Sequence, residues 1–331
     1  MNFKNQRDYY FDNIKLLLIT LVVIGHVIEP LINTYSKFRL LYFFIYAFHM
    51  PLFAFISGYF LKNANNKKNI LPKISNIFIP YIIFQFFYSV FNIYVLKVQN
   101  FKLTFVYPYW ITWYLLSLFT WNIIIPYFSK IKHCIIISIL ISVLSGYDNN
   151  IGYYLSLSRT ITFFPYFLIG YLFKKHYIDI FKHYITRSGS VIALFFILFF
   201  INFISYKIDY KWFYGSFSYS QLDSFGLPKY AIRIFTYLLA IFISVFVLVL
   251  IPKTKFFFTQ LGSRTMTVYL FHGFIIKLFI KYNIFTCFNN IFIREILIIS
   301  LSLLIVILLS SKIINRVYKA IFKAELLIQM K

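Results

Sequence analysis

Charge is scarce in this chain. Asp, Glu, Lys and Arg make up 13% of its 331 residues, against about a quarter in a soluble globular domain. Hydrophobic residues reach 61% and the mean hydropathy is +0.76, which excludes an ordinary soluble domain. Cysteine is nearly absent. Cys134 and Cys287 are expected at opposite membrane faces, beyond the ~7 Å Cα separation that a disulfide tolerates. Two such cysteines cannot build a metal cluster, and no histidine pair has helical metal-ligand spacing, so no metal is expected. No internal repeat is visible. The first apolar run is too long for a removable signal peptide and has no small-residue cleavage site. The strict alternation of a transmembrane β-barrel is missing too.

What the chain does have is long apolar runs. About 20 residues at ~1.5 Å rise cross the ~30 Å hydrocarbon core of a bilayer. Ten helices are expected, over 13–32, 40–61, 76–96, 111–128, 132–147, 160–174, 190–206, 230–251, 266–282 and 291–313. They leave no room for a separate soluble domain. The expected fold is a single all-α integral membrane domain spanning 1–331.

The net charge of +24 resembles a nucleic-acid signal, but its distribution argues otherwise. Basic residues gather in alternate loops: Lys4 and Arg7, Lys62 to Lys73, Lys130 and Lys132, Lys174 to Arg187, and Lys253 to Arg264, with Arg316, Lys319, Lys323 and Lys331 in the tail. The intervening loops hold fewer. The positive-inside rule then puts both termini in the cytoplasm, and ten spans give the same parity. The charge reads as topology and attraction to anionic lipid, so the bilayer is the expected partner and nucleic acid is not.

The first span carries Lys15, His26 and Glu29, and an ionisable residue inside a membrane is a functional candidate by default. Eleven residues separate Lys15 from His26. At ~100° per residue both lie on one helix face, ~16 Å apart along the axis. Glu29 follows His26 at i+3, where the side chains meet. A carboxylate that orients an imidazole is the relation used in general base catalysis. Each residue also has a plainer reading: Lys15 snorkels to the inner headgroups and Glu29 is an interfacial acid. His49 and His272 lie within spans, where a lone histidine often bonds a neighbouring helix. His49 opens the stretch HMPLFAFISGY, in which Pro51 breaks the backbone ladder and Ser57-Gly58 permits close approach. Arg159 opens the sixth span as anchor or site. Trp110 and Trp113 begin the fourth as interfacial belt or site. The long loop from Lys207 to Lys229 holds Trp212, Tyr214 and Tyr219, either as faces for sugar rings or as an interfacial loop.

These pieces resemble one family. Lys15 with His26 matches the Arg/Lys-x10-His signature of the membrane acyltransferase-3 family. The segments FDNIKLLLITLVVIGHVIEP, FHMPLFAFISGYF, WYLLSLFTW, LSRTITFFPYFLIGYLF and LGSRTMTVYLFHGF are similar to its fucose 4-O-acetylase-like branch, from about Tyr10 to Ile314. The resemblance implies transfer of an acetyl group from cytoplasmic acetyl-CoA, as co-substrate, to a sugar hydroxyl of a surface or lipid-linked glycan at the outer face. No extracellular esterase-like domain is expected after the spans, which favours direct transfer. In that reading His26 is the base, Glu29 its orienter, and Arg159 or Ser57 steadies the oxyanion. Lys15, Lys67, Lys68 and Lys73 hold the donor phosphates. His49, Ser57 and Trp113 border the substrates. A covalent acetyl-His26 intermediate competes with direct transfer. A lipid-linked glycan transporter or flippase is the rival from another class, and predicts a longer polar path and often repeats. A glycan polymerase is a second rival. Binding of acetyl-CoA separates both from acyl transfer.

Overall fold

A computed structural model describes residues 8–62, 74–224, 226–287 and 290–328. Within them all regular structure is helical. In chain order the helices are α1 (Tyr9–Ile28), α2 (Ser36–Lys62), α3 (Ile74–Leu96, with a π turn at each end), α4 (Trp113–Phe128), α5 (Cys134–Ser145) and α6 (Leu157–Leu172). They continue with α7 (His176–Tyr184), α8 (Arg187–Ile204), α9 (Lys229–Leu250), α10 (Thr265–Lys281), α11 (Ile291–Leu309) and α12 (Lys312–Ile328).

Seven of these helices are long and apolar enough to cross a membrane: α1, α2, α3, α4 with its leading turn, α8, α9 and α11. The other three expected ranges are helical but shorter, at 12 residues for α5, 16 for α6 and 17 for α10. Helices α7 and α12 lie outside the expected set. Both are amphipathic, so a search for continuous apolar runs passes over them. In α12, Lys312, Arg316 and Lys319 share one face.

The bundle buries polar side chains within a largely apolar core and is greasy outside. Gln85, Ser117, Asn122 and Thr160 are buried, whereas Phe195 is 66% exposed and Phe199 58%. Helix α8 buries only Ser190 and Ile201. Such a surface suits hydrocarbon as solvent, where helices associate through close packing and internal hydrogen bonds.

Two contacts set the frame. Helices α2 and α6 form the most extensive helix pair, and glycines let their backbones touch. A Cβ on Gly58 would lie 2.0 Å from the Phe167 carbonyl oxygen, and one on Gly170 would lie 1.9 Å from that of Phe55. The start of α1 is clamped by the segment before α10. Asn13 Nδ2 donates to the carbonyls of Pro252 and Thr254, each at 3.0 Å, and its Oδ1 accepts from Thr259 Oγ1 at 2.7 Å. Gly262 packs on the Asp12 carbonyl, where a Cβ would sit at 1.9 Å. This clamp fixes the depth of Lys15, one turn further along α1.

At the same end of the bundle Lys175 pairs with Asp8 at 2.5 Å. Lys253 pairs with Asp179 and holds that carboxyl below the usual carboxylate range. Partial burial lowers the ammonium pKa of Lys182 to about 8.

Neither Gly58 nor Gly170 has room for a methyl group on the facing backbone. Alanine at either position is expected to lower the melting temperature of the detergent-solubilised protein, at a cost of about 1–3 kcal/mol from overpacking. Gly152→Ala, whose Cβ would meet nothing within 4 Å, is the comparison and should shift stability by less than about 0.5 kcal/mol.

Candidate active site

His26 stands in the last turn of α1, near the opposite end from Lys15. The helix stops two residues later and Pro30 carries the chain into a 3₁₀ turn that begins at Glu29. The i+3 pair meets: His26 Nδ1 lies 3.3 Å from Glu29 Oε2. The carboxylate accepts from Nδ1–H, which leaves Nε2 as the nitrogen with a free lone pair. The Tyr46 hydroxyl is 3.4 Å from the same Nδ1.

Aromatic rings wall the imidazole. The Trp110 ring centroid is 4.5 Å away, and the ring of His272 stacks at 5.5 Å with an interplanar angle of 26°. His272 is fully buried and its Nδ1–H donates to the Val268 carbonyl at 2.9 Å. Trp110 reaches His26 from a 3₁₀ turn, with a backbone φ of 42°, a sparsely populated conformation for a bulky residue. Gln85 of α3 holds the approach to that turn. Its Nε2 donates to the carbonyls of Thr104 at 2.7 Å and Tyr107 at 3.1 Å, and its Oε1 accepts from Tyr109 N at 2.8 Å and Thr112 Oγ1 at 2.7 Å. The Nζ of Lys277, towards the C-terminal end of α10, lies 4.3 Å from the Trp110 ring centroid.

Arg159 comes from the first turn of α6 and is half-buried. Its guanidinium carbon sits 5.1 Å from the Trp113 ring and 5.2 Å from that of Tyr153. Nη2 donates to Ser216 Oγ at 3.5 Å. The loop after α8 docks here through Ser158 Oγ, which donates to the Gly215 carbonyl at 2.7 Å. The loop turns at Gly215, whose φ is +63°. That turn delivers Phe213 and Tyr214 to the site wall, with the Tyr214 and Tyr42 hydroxyls 2.5 Å apart.

His26, Glu29, His49, Trp113 and Arg159 line one cavity of about 90 Å³, together with Tyr46, Trp110, Phe163, Phe213 and Tyr214. Lys15 and Ser57 line another, of about 310 Å³. Its other walls are mostly apolar and include Ile19, Phe53, Phe60, Leu118 and Met266. Val22, Met50 and Tyr269 line both, so the two cavities adjoin. Lys15 pairs with the buried Asp12 at 2.8 Å. Ser57 Oγ is 2.8 Å from the Tyr114 hydroxyl. Lys67, Lys68 and Lys73 lie outside the described residues. His49 donates from Nδ1 to the Ile45 carbonyl at 2.7 Å and is buried.

Two rings of the long loop are not free platforms for a sugar. Trp212 is fully buried and Tyr219 is 2% exposed, and the Arg233 guanidinium lies over both rings. Of the walls that the sequence does not single out, Tyr46 was within reach, since it precedes His49 by one helical turn. Phe213 arrives through the loop path, and the brace at Gln85 acts through hydrogen bonds from α3 to a distant turn, which no local pattern encodes; Tyr214 is already a candidate of the long loop. Among the described residues no three His, Cys, Asp or Glu side chains converge as metal ligands.

A profile described as an acyltransferase domain matches residues 8–312. The chain is 48% identical over 68 residues to nodulation protein NolL of Mesorhizobium japonicum, covering 20% of this chain and 18% of that one. It is 52% identical over 58 residues to nodulation protein NolL of Sinorhizobium fredii, covering 17% and 16%. The matched stretches thus span less than a fifth of these relatives' length. No solved structure matches significantly.

Gln85→Leu keeps the volume near Trp110 and removes all four bonds. It is expected to leave the loop's polar groups unsatisfied, at about 1–3 kcal/mol, and to displace Trp110. Quenching or a spectral shift of tryptophan fluorescence, with the helical circular dichroism retained, would report it.

Proposed function

The chain belongs to the acyltransferase-domain family, and from that premise we propose that it transfers an acetyl group from acetyl-CoA to a sugar hydroxyl of a glycan across the membrane. The observation that carries the reading is the pair of adjoining cavities, with Lys15 at one and the His26–Glu29 pair at the other. A thioester donor is anionic at one end and reactive at the other, with a long thin arm between. Lys15 suits the anionic side. Lys67, Lys68 and Lys73 are assigned there by sequence position alone. The apolar cavity suits the arm. His49 and Trp113, on the walls of the histidine cavity, border the reacting groups.

In this reading the spans number ten, and α5, α6 and α10 cross with the longer seven. Both termini are cytoplasmic, in the cytoplasmic membrane of a bacterium, and the histidine cavity faces the outer side. The acceptor is a surface or lipid-linked glycan. Its hydroxyl gives its proton to His26 Nε2 as its oxygen attacks the thioester carbonyl. The C–O bond forms, the C–S bond breaks, and the imidazolium returns the proton to the departing thiolate. Glu29 holds the ring through Nδ1 and stabilises its protonated form. Arg159, steadied by Trp113 and Ser216, supplies positive charge to the oxyanion. Ser57 lies in the neighbouring cavity and faces the arm.

His26→Ala is expected to reduce acetyl transfer at least about 100-fold, with the protein still assembled in the membrane. The measurement is NMR of glycan O-acetyl content in cells that carry each form. Near-normal acetylation by the alanine form would overturn the assignment. Arg159→Ala should lower turnover about 100- to 1,000-fold, and Arg159→Lys should recover only part of it, because a point charge does not reproduce the planar fork.

A further inference from the structure

The two cavities differ in size and meet at three side chains, and that junction has a consequence for which donors react. We propose that Val22, Met50 and Tyr269 form a neck that limits the acyl group to a short one, with Met50 as the specificity-determining residue. The proposal rests on the acyl-transfer reading above.

A donor that enters from the Lys15 side must bring its thioester carbonyl to His26. Its acyl group then occupies the histidine cavity, where about 90 Å³ is open against about 310 Å³ next door. The walls of that smaller space are braced. Trp110 sits on the turn held by Gln85. Phe213 is 7% exposed and packs edge-on against Phe43 at 4.7 Å. A longer chain meets those braced walls and the space the acceptor sugar must occupy, and the neck sets how much room it has on the donor side.

Two sides of the neck are fixed. Val22 lies one turn before His26 on α1 and is 4% exposed, and β-branching stiffens its side chain. The Tyr269 hydroxyl donates to the Ile111 carbonyl, which ties the ring to the turn that carries Trp110. Met50 is the adjustable side. It is half-buried, unbranched, and has three rotatable bonds. It stands between His49, which lines the histidine cavity, and Pro51.

Shortening Met50 should merge the two spaces and give a longer acyl chain somewhere to lie. One methylene in an apolar pocket commonly changes discrimination about 10- to 200-fold. The test uses sealed membrane vesicles that contain the full chain and a glycan acceptor, loaded inside with acetyl-, propionyl- or butyryl-CoA. Acids released from the glycan by alkali are quantified by mass spectrometry. The wild type should strongly prefer acetyl. Met50→Ala should raise the butyryl-to-acetyl ratio at least about tenfold. Val22→Ala should move it the same way and carries the test if Met50→Ala fails to assemble. A ratio within about twofold of wild type in both variants would overturn the neck while leaving acyl transfer intact. Loss of all transfer in both would overturn it as well, because a wider neck must still pass acetyl. No transfer of any acyl group by the wild type would instead sink the acyl-transfer reading itself.

Discussion

Helices α2 and α6 touch backbone to backbone, with Gly58 against Phe167 and Gly170 against Phe55, and the histidine cavity draws walls from both. Helix α2 contributes Tyr46, His49 and Met50 to the histidine cavity, and Met50, Phe53 and Ser57 to the apolar one. Helix α6 contributes Arg159 and Phe163. In hydrocarbon there is little hydrophobic drive between helices, so close approach through small residues does much of the work. A side chain at either glycine would separate the two helices, and with them Arg159 from the imidazole side of the site.

The second constraint is that polar groups in a bilayer need partners within the protein. Gln85 answers it with four hydrogen bonds, and in doing so turns a stretch of non-helical chain into a rigid brace behind Trp110. Asn13 does the same at the other end, where it clamps α1 to the segment before α10. Ser158 and Ser216 extend the logic to the loop after α8. The polar residues of the site are thus held by other polar residues that take no part in chemistry themselves. That arrangement keeps an imidazole, a carboxylate and a guanidinium around one cavity of about 90 Å³.

Much of the helical layout was legible in the sequence, because continuous apolar runs and helical spacing are local properties. The i+3 contact of His26 with Glu29 followed from helix geometry alone, and so did the placement of Lys15 and His26 along a single stripe of α1. The amphipathic helices α7 and α12 were not legible in the same way, since their apolar residues are too few to form a continuous run. The long loop was misleading. Its aromatic residues suggest open faces, yet Trp212 and Tyr219 are buried under Arg233, while Tyr214 alone of the three reaches the cavity.

The sequence by itself determined the chemistry available in the membrane: which ionisable residues sit within apolar runs, and at what spacing on one helix. Those follow from composition and from the pitch of an α-helix. Only the tertiary structure decided which of them share a space. It put Arg159, His49 and Trp113 with His26, put Ser57 with Lys15, and set Val22, Met50 and Tyr269 between the two groups. Those groupings depend on helix crossings and loop docking between residues far apart in the chain, and no pattern within a single segment contains them.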